Sequence, residues 1–219
     1  SEYIVAPETQ LLAVPDSIAD KASGVLQVMG TCVHAQRAAA VFPGDTVAVV
    51  GLGVAGQLFV QLLTAQGASV IGITRSEWKR QLASRNGAVG TATPAEAAAV
   101  VAELTKGRGA DLVVEAAGYE ATLVQSIELT RTGGAVVVFG TLVGGEQGLP
   151  YYQLYHKEVT LYNPRAALPT DYQRGIELAA AGVLDLESIV THHVELADAA
   201  EAFALVNDSS SLKVLMEVS

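Results

Sequence analysis

Three glycines after an apolar run are the residues best suited to chemistry. Gly51, Gly53 and Gly56 have the spacing G-x-G-x-x-G and follow directly after residues 47–50, which are VAVV. Between a strand and a helix, such glycines permit a tight turn, a close backbone approach to a pyrophosphate, and close packing of helix on strand. The pattern therefore predicts a dinucleotide-binding unit. An ordinary tight strand-to-helix connection is the alternative.

The helix predicted after the glycines supports the same interpretation. Its first turn contains Val54 and Ala55, and its N-terminal N–H groups and partial positive charge would point at the phosphates. A second apolar strand follows at residues 69–73. A lone glycine pattern is weak evidence for nucleotide binding, but the succession of strand, turn, helix and strand strengthens it.

The residues after the second strand determine which dinucleotide fits. An acid there would bind the ribose 2′-OH and repel a 2′-phosphate, but this chain has Thr74, Arg75 and Ser76. A guanidinium and two hydroxyls can donate to a phosphate, so NADP(H) is favoured over NAD(H). Lys79 and Arg80 add positive charge. The alternative is that the three basic side chains face solvent at the start of a helix.

Composition excludes several classes of partner. The chain has 219 residues, half of them apolar, with a net charge of −10 and a pI near 4.8. Without a basic run it is not expected to bind nucleic acid or an acidic membrane surface. The first residues lack the features of a secretory signal, and no apolar stretch is expected to span a membrane. Cys32 is the only cysteine, which fits a reducing cytoplasm.

Strand and helix patterns alternate after Asp45, which predicts the α/β class with a doubly wound, parallel, six-stranded sheet, the Rossmann fold. The predicted strands are 46–50, 69–73, 88–92, 111–115, 135–139 and 158–162. The predicted helices between them are 54–66, 77–86, 94–105, 120–130 and 150–157. The carboxyl ends of the strands would meet at one edge, where ligands bind.

The two ends of the chain have other patterns. Tyr3 to Ala6 and Leu11 to Val14 are predicted to be extended, and a helix in two pieces follows to about Val41. After the sheet we expect a helix at 171–181, a strand-like segment SIVTHHVEL, a helix at about 197–206 and a strand at 212–218.

Several blocks together resemble the medium-chain dehydrogenase/reductase superfamily, among its zinc alcohol dehydrogenase and sorbitol dehydrogenase relatives. The blocks are PGDTVAVVGLGVAG, GRGADLVVEAAG, RTGGAVVVFG, KEVTLYNPRAA and LKVLMEV. The resemblance implies hydride transfer between a nicotinamide coenzyme and a small alcohol or carbonyl substrate. Members carry a further N-terminal catalytic domain that this chain largely lacks, so the chain alone is expected to be inactive.

The resemblance also implies a division into three parts. Residues 1–25 would be the end of the catalytic domain, 26–166 the coenzyme-binding domain, and 167–219 the segments that return to the catalytic domain.

Further coenzyme contacts are implied by the same resemblance. Lys79 would lie near the adenosine ribose and Lys213 near the pyrophosphate. The adenosine side would be bordered by Ala116, Ala117 and Gly118, and the nicotinamide by Gly140, Thr141, Leu142, Thr31 and Arg165. Each of three residues also has a structural alternative: Thr31 as an ordinary helix residue, Lys213 as a charge on an edge strand, and Arg165 as part of a surface loop.

Zinc and the catalytic residues are not identified by the sequence. By resemblance, Gln27 occupies the position of a zinc ligand, but a neutral amide is a poor ligand for Zn²⁺. Cys32 is interpreted as a small buried hydrophobe, and His34 as a packed helix residue. His192 and His193 would point to opposite faces of a strand. A catalytic zinc is therefore doubtful.

Assembly and activity follow as expectations. The edge strand near Glu158 to Tyr162 would, by resemblance, join two subunits into a homodimer. An NADP(H)-dependent alcohol or polyol dehydrogenase is the leading hypothesis. Gln27 suggests a zinc-independent enoyl or quinone reductase instead, and the missing domain suggests a non-catalytic nucleotide-binding module. A methyltransferase is a weaker alternative.

Overall fold

The computed structural model describes residues 4–142 and 148–217. The helices in this part of the chain are α1 (Asp20–Ser23), α2 (Leu26–Gln36), α3 (Val54–Ala65), α4 (Glu77–Arg85), α5 (Ala97–Thr105), α6 (Glu120–Leu129), α7 (Tyr151–His156), α8 (Pro169–Ala180) and α9 (Ala199–Val206). The strands are β1 (Thr46–Val50), β2 (Ser69–Ile73), β3 (Gly90–Ala92), β4 (Ala110–Glu115), β5 (Thr130–Val138), β6 (Thr160–Tyr162), β7 (Val190–Glu195) and β8 (Lys213–Glu217).

Strands β1 to β6 form one six-stranded sheet in the order β3-β2-β1-β4-β5-β6. Every neighbouring pair in it is parallel. The predicted doubly wound Rossmann sheet is thus confirmed. The strand order reverses between β1 and β4, so a crevice forms at their carboxyl ends.

The central strand is apolar because both of its faces are covered. Val47 and Val49 pack on one side with α2, α3 and α8, whereas Ala48 and Val50 pack on the other with α5 and α6. Side chains along a strand alternate between faces, so a strand buried on both sides needs an unbroken apolar run.

The edge strand is shorter than the sequence suggested. Glu158 has φ +52° and is not in β6, which begins at Thr160. The N–H of Val159 donates to Leu154 O at 3.0 Å and that of Glu158 to Tyr155 O at 3.2 Å. These bonds close the C-terminus of α7 with a left-handed residue. Glu158 and Val159 therefore end a helix, and the prediction of strand there was wrong.

Other boundaries also moved. Thr130 already belongs to β5, five residues before the predicted start. The two-piece helix is present, but it ends at Gln36 and not near Val41. Two predicted segments reach beyond the described part of the chain. Tyr3, the first residue of the extended segment, and Val218, the last residue of the final strand, both lie outside it.

The terminal segments pack on the main sheet's helices. Ile18 and Ala22 belong to the same buried cluster as Met29 of α2 and Ile176 of α8. Strands β7 and β8 form a separate parallel pair. Within the described residues, no helix has both the length and the apolar character needed to cross a membrane. The three-part division of the chain stays a prediction.

Asp111 joins the starts of three strands on the side of the sheet away from the crevice. Its carboxylate accepts hydrogen bonds from the Thr46 N–H at 2.9 Å, from Arg131 Nε at 2.7 Å and from Arg108. The hydrogen bond from Arg108, with those from Thr46 and Arg131, holds the pKa of the Asp111 carboxyl well below its ordinary value. The charged form is therefore stabilised by folding.

Asp111→Ala is expected to lower the free energy of unfolding by about 2–3 kcal/mol, because it removes charge-assisted hydrogen bonds at a largely buried site. The folded-state pKa is lowered, so this contribution is complete above about pH 4 and is lost as the pH falls further. Urea unfolding at pH 7 and pH 3 measures it. Glu177→Ala, which breaks an exposed pair with Arg174, should change little. Equal losses of stability in the two variants would contradict the role assigned to Asp111.

Candidate functional site

The glycine turn has the geometry that its spacing predicted. Gly51 has φ +95°, and a Cβ on it would lie 2.8 Å from the backbone N of Ala117. A Cβ on Gly56 would lie 1.9 Å from Gly51 O, so only glycine lets α3 approach β1 this closely. The backbone N–H of Gly51 donates to Ile73 O at 2.9 Å, which fixes Gly51 to the end of β2.

Gly53 differs from the other two glycines in its surroundings. A Cβ on Gly53 would meet no atom within 4 Å. Gly53 is also the N-cap of α3, and no side chain caps this end of the helix. The first N–H groups of α3, including those of Val54 and Ala55, have no partners within the helix. Open space next to free donors and a positive helix end suits an anion.

A cavity of about 520 Å³ lies beside this turn. Its lining includes Gly51, Ile73, Thr74, Arg75 and Ala117, so the structure brings Gly51 together with Thr74 and Arg75, two of the 2′-phosphate candidates. None of the described residues that line it is acidic. A second cavity of about 490 Å³, between α2, α3 and α8, shares no lining residue with it.

The turn after β2 is held by a neighbouring arginine. Arg80 Nη1 donates to Thr74 O at 2.8 Å and to Arg75 O at 3.0 Å. Arg80 thus does not simply face water, which was one of its two interpretations. Within the described residues, the exposed guanidinium of Arg75 has no hydrogen-bond or ion-pair partner. Arg75 is therefore available to a ligand.

Ser76 and Lys79 follow this turn at the start of α4. Ser76 is the half-buried N-cap of α4, and Lys79 is in its first turn. Lys79 Nζ lies 5.3 Å from the centroid of the Trp78 ring, within the range of a cation–π contact. Partial burial lowers the pKa of Lys79. Both residues thus belong to the N-terminal end of α4, which begins just after Arg75.

Glu115 is a buried residue of the site that the sequence did not reveal as one. It is 0% exposed, at the end of β4. Its Oε1 accepts from the N–H groups of Ala117 and Gly118, both at 2.9 Å, and from Thr122 Oγ1 at 2.7 Å. The carboxylate thereby shapes the turn that lines the cavity. The signal was one acid within the otherwise apolar run LVVEAAG.

The turns after β4 and β5 lie against each other. A Cβ on Gly140 would lie 2.5 Å from the N of Gly118, and one on Gly118 would lie 3.0 Å from Thr141 O. Leu142, which follows, is 39% exposed. The structure therefore brings Gly118, Gly140 and Thr141 together at one edge of the sheet.

For three predicted residues the structure shows no contact with this cluster among the described residues. Thr31 is in α2, and its hydroxyl donates to Val28 O at 2.6 Å. Arg165 is exposed after β6, and Lys213 begins β8. Among the described residues, no hydrogen bond or ion pair joins any of them to the glycine turn. Their roles toward a coenzyme stay predictions.

The described residues do not fit a zinc site. Among them, no group of three or more His, Cys, Asp or Glu side chains could hold a metal ion. Cys32 is fully buried with its Sγ 3.9 Å from Ala55 O, and burial raises the pKa of its thiol. Its interpretation as a buried hydrophobe is confirmed. Gln27 is exposed.

The histidines are engaged elsewhere. His34 Nδ1 lies 2.8 Å from Asp171 Oδ2 on α8, which confirms a packed helix histidine. Burial would raise the pKa of Asp171, but its bonds to Leu168 N–H, His34 and Arg37 lower it. His192 and His193 contact different partners, Thr191 and Glu217.

Comparison with known proteins places these features in one family. Residues 53–181 match the family model described as zinc-binding dehydrogenase. D-xylulose reductase A of Aspergillus niger is 29% identical over 223 residues, which cover 99% of this chain and 62% of that protein. The chain thus spans less than two thirds of the length of this curated relative.

Solved structures agree in fold. A zinc-binding dehydrogenase of Sinorhizobium meliloti 1021 bound to NADP matches with a TM-score of 0.90 at 29% identity, covering 99% of this chain and 65% of that one. The alcohol dehydrogenase TADH of Thermus sp. ATN1 matches with a TM-score of 0.86 at 27% identity, covering 94% of this chain and 62% of that one.

Two glycine variants test the turn itself. Gly56→Ala is expected to lower the free energy of unfolding by at least about 2 kcal/mol, because the new Cβ collides with backbone. Gly53→Ala should cost less than about 1 kcal/mol, since its φ of −73° suits alanine and the space is open. Urea unfolding compares them. Similar losses for both would contradict this geometry.

Proposed function

The chain belongs to the zinc-binding dehydrogenase family, within the medium-chain dehydrogenase/reductase superfamily, and we propose that it is the NADP(H)-binding domain of an alcohol or polyol dehydrogenase. The main support for this proposal is the cavity that Gly51, Thr74 and Arg75 line, which has no acid among its described lining residues. An acid at the end of β2 would repel a 2′-phosphate, whereas the exposed guanidinium of Arg75 attracts one.

Each element has a distinct part in binding. The open backbone at Gly53 and the N-terminus of α3 would hold the diphosphate. Arg75, with Thr74, Ser76 and Lys79, would hold the 2′-phosphate. The turn of Ala117 and Gly118 would border the adenosine, and Gly140, Thr141 and Leu142 the nicotinamide, with Thr31, Arg165 and Lys213 as further contacts. When bound, the nicotinamide supplies or accepts the hydride.

The substrate class rests on relatives. The similar proteins include a D-xylulose reductase and an alcohol dehydrogenase, and we extend an alcohol or carbonyl substrate to the complete protein. The part of those relatives that this chain does not span would supply most of the substrate pocket. This chain alone would therefore bind coenzyme without turnover.

Gln27 favours a second candidate, a zinc-independent enoyl or quinone reductase. No step is assigned to zinc, because the described side chains of this chain do not fit it. Assays of the complete gene product on alcohols and on enones, with and without a chelator, separate the two candidates. Coenzyme binding without activity on either class would leave a non-catalytic module.

Assembly and location complete the proposal. Among the described strands, β6 pairs with β5 alone at the edge of the six-stranded sheet, which leaves its other side open to a second copy. We propose a homodimer with a continuous sheet through β6. The single cysteine fits a reducing compartment, so a cytoplasmic location is proposed.

Arg75→Ala should weaken NADPH binding about 10- to 100-fold, because it removes charge-assisted hydrogen bonds to the 2′-phosphate. NADH binding should stay within about twofold, since NADH lacks that phosphate. Fluorescence titration with each coenzyme measures both affinities, and Trp78, the single tryptophan, is in the first turn of α4, three residues after Arg75.

Arg174→Ala is the matched control, because Arg174 is an exposed arginine on α8 that does not line the 520 Å³ cavity. It should leave both affinities unchanged. A wild-type chain that binds neither coenzyme, or binds NADH more tightly, would contradict the proposed coenzyme.

The dimer is tested by light scattering after gel filtration, with an expected mass of twice 22.7 kDa. Leu161→Pro removes a backbone donor in the middle of β6. Because a strand that pairs on both sides tolerates proline poorly, this variant should shift the dimer toward monomer. A wild-type monomer would refute the proposed assembly.

A further inference from the structure

Gln57 lies in α3, the helix that begins at the glycine turn, and its buried side-chain amide contacts α4. It is 0% exposed. Its backbone N–H donates to Gly53 O at 2.9 Å, and its side-chain Nε2 donates to Lys79 O at 2.8 Å. Gly53 belongs to the glycine turn and Lys79 to the first turn of α4. The side chain thus joins α3, which begins at the glycine turn, to the first turn of α4, where Lys79 lies.

The same side chain also holds the other end of α4. Gln57 Oε1 accepts a hydrogen bond from Asn86 Nδ2 at 3.1 Å, and Asn86 is the C-cap of α4. A buried amide left without partners is costly, so displacements of α4 that break these bonds are disfavoured. Gln57 therefore fixes both ends of α4 relative to α3.

The position of α4 is passed on to the turn after β2. Arg80 directly follows Lys79 and donates to the carbonyls of Thr74 and Arg75. A shift of the first turn of α4 would pull on this turn through Arg80. Gln57 thereby influences the position of the Arg75 backbone, without contacting Arg75.

We infer that Gln57 is a positioning residue that sets the discrimination between NADP(H) and NAD(H). It holds Arg75 and Lys79 at the distance from the glycine turn at which one coenzyme can reach both with its two phosphate groups. NAD(H) lacks the 2′-phosphate, so its binding depends less on this distance. The inference rests on the proposed function.

Gln61 provides a matched control on the same helix. It is also buried, one turn further along α3. Its Nε2 donates to Asp185 O at 3.0 Å and its Oε1 accepts from Asp185 N at 2.6 Å. Gln57→Leu and Gln61→Leu each remove two side-chain bonds from α3. Only the first releases α4.

The experiment is titration of wild type, Gln57→Leu and Gln61→Leu with NADPH and NADH, with urea unfolding in parallel. Gln57→Leu should lower the ratio of the NADH to the NADPH dissociation constant about five- to tenfold, equivalent to about 1 kcal/mol. Gln61→Leu should keep the ratio within about twofold of wild type, although both variants lose stability. A Gln57→Leu ratio equal to that of Gln61→Leu would overturn the inference.

Asn86→Ala decides the matter if Gln57→Leu does not fold. Asn86 is only half-buried, so its loss should be tolerated, and the ratio should fall about two- to threefold because Gln57 loses one of its anchors. An unchanged ratio overturns the inference while the coenzyme proposal stands. A wild type without preference for NADPH overturns both.

Discussion

The close contact between Gly56 and the Gly51 carbonyl is the constraint on which the rest of the structure depends. With 1.9 Å between that oxygen and a Cβ placed on Gly56, no larger residue fits there without a backbone shift. The contact brings the N-terminus of α3 directly onto the end of β1. The uncapped N-terminus of α3 then lies at the carboxyl end of β1, where the order of the sheet reverses, so that an anion bound there would meet donors that need no rearrangement.

Buried polar side chains fix the neighbouring elements relative to this turn through hydrogen bonds. Glu115 shapes the turn after β4, and Gln57 ties α4 to α3, each from a position without solvent exposure. A buried polar group is costly unless its hydrogen bonds are made, so such groups define positions more sharply than apolar packing does. Asp111 fixes the opposite ends of the strands by accepting hydrogen bonds from Thr46 and Arg131. The crevice is thus held from several directions.

Local patterns in the sequence predicted the sheet well and its edges less well. The run at residues 47–50 and the glycine spacing gave strand, turn and helix correctly, because burial on both faces and steric limits act on neighbouring residues. The prediction failed at Glu158 and Val159, which begin the run EVTLY and were assigned to the strand with it. Their conformation is decided by hydrogen bonds to Leu154 and Tyr155, which close a helix, and intrinsic preference does not overcome that context.

The sequence by itself determined the fold class, the glycine turn and the absence of an acid after β2, since each depends on residue types at short spacing. Only the tertiary structure decided that Gly51, Arg75 and Ala117 line one cavity, that Arg80 holds the backbone of Thr74, and that Gln57 and Glu115 are buried supports of the site. These relations join residues far apart in the chain. They arise when packing brings separate elements together, as when Nε2 of Gln57 meets the Lys79 carbonyl and Oε1 of Glu115 meets the N–H groups of Ala117 and Gly118.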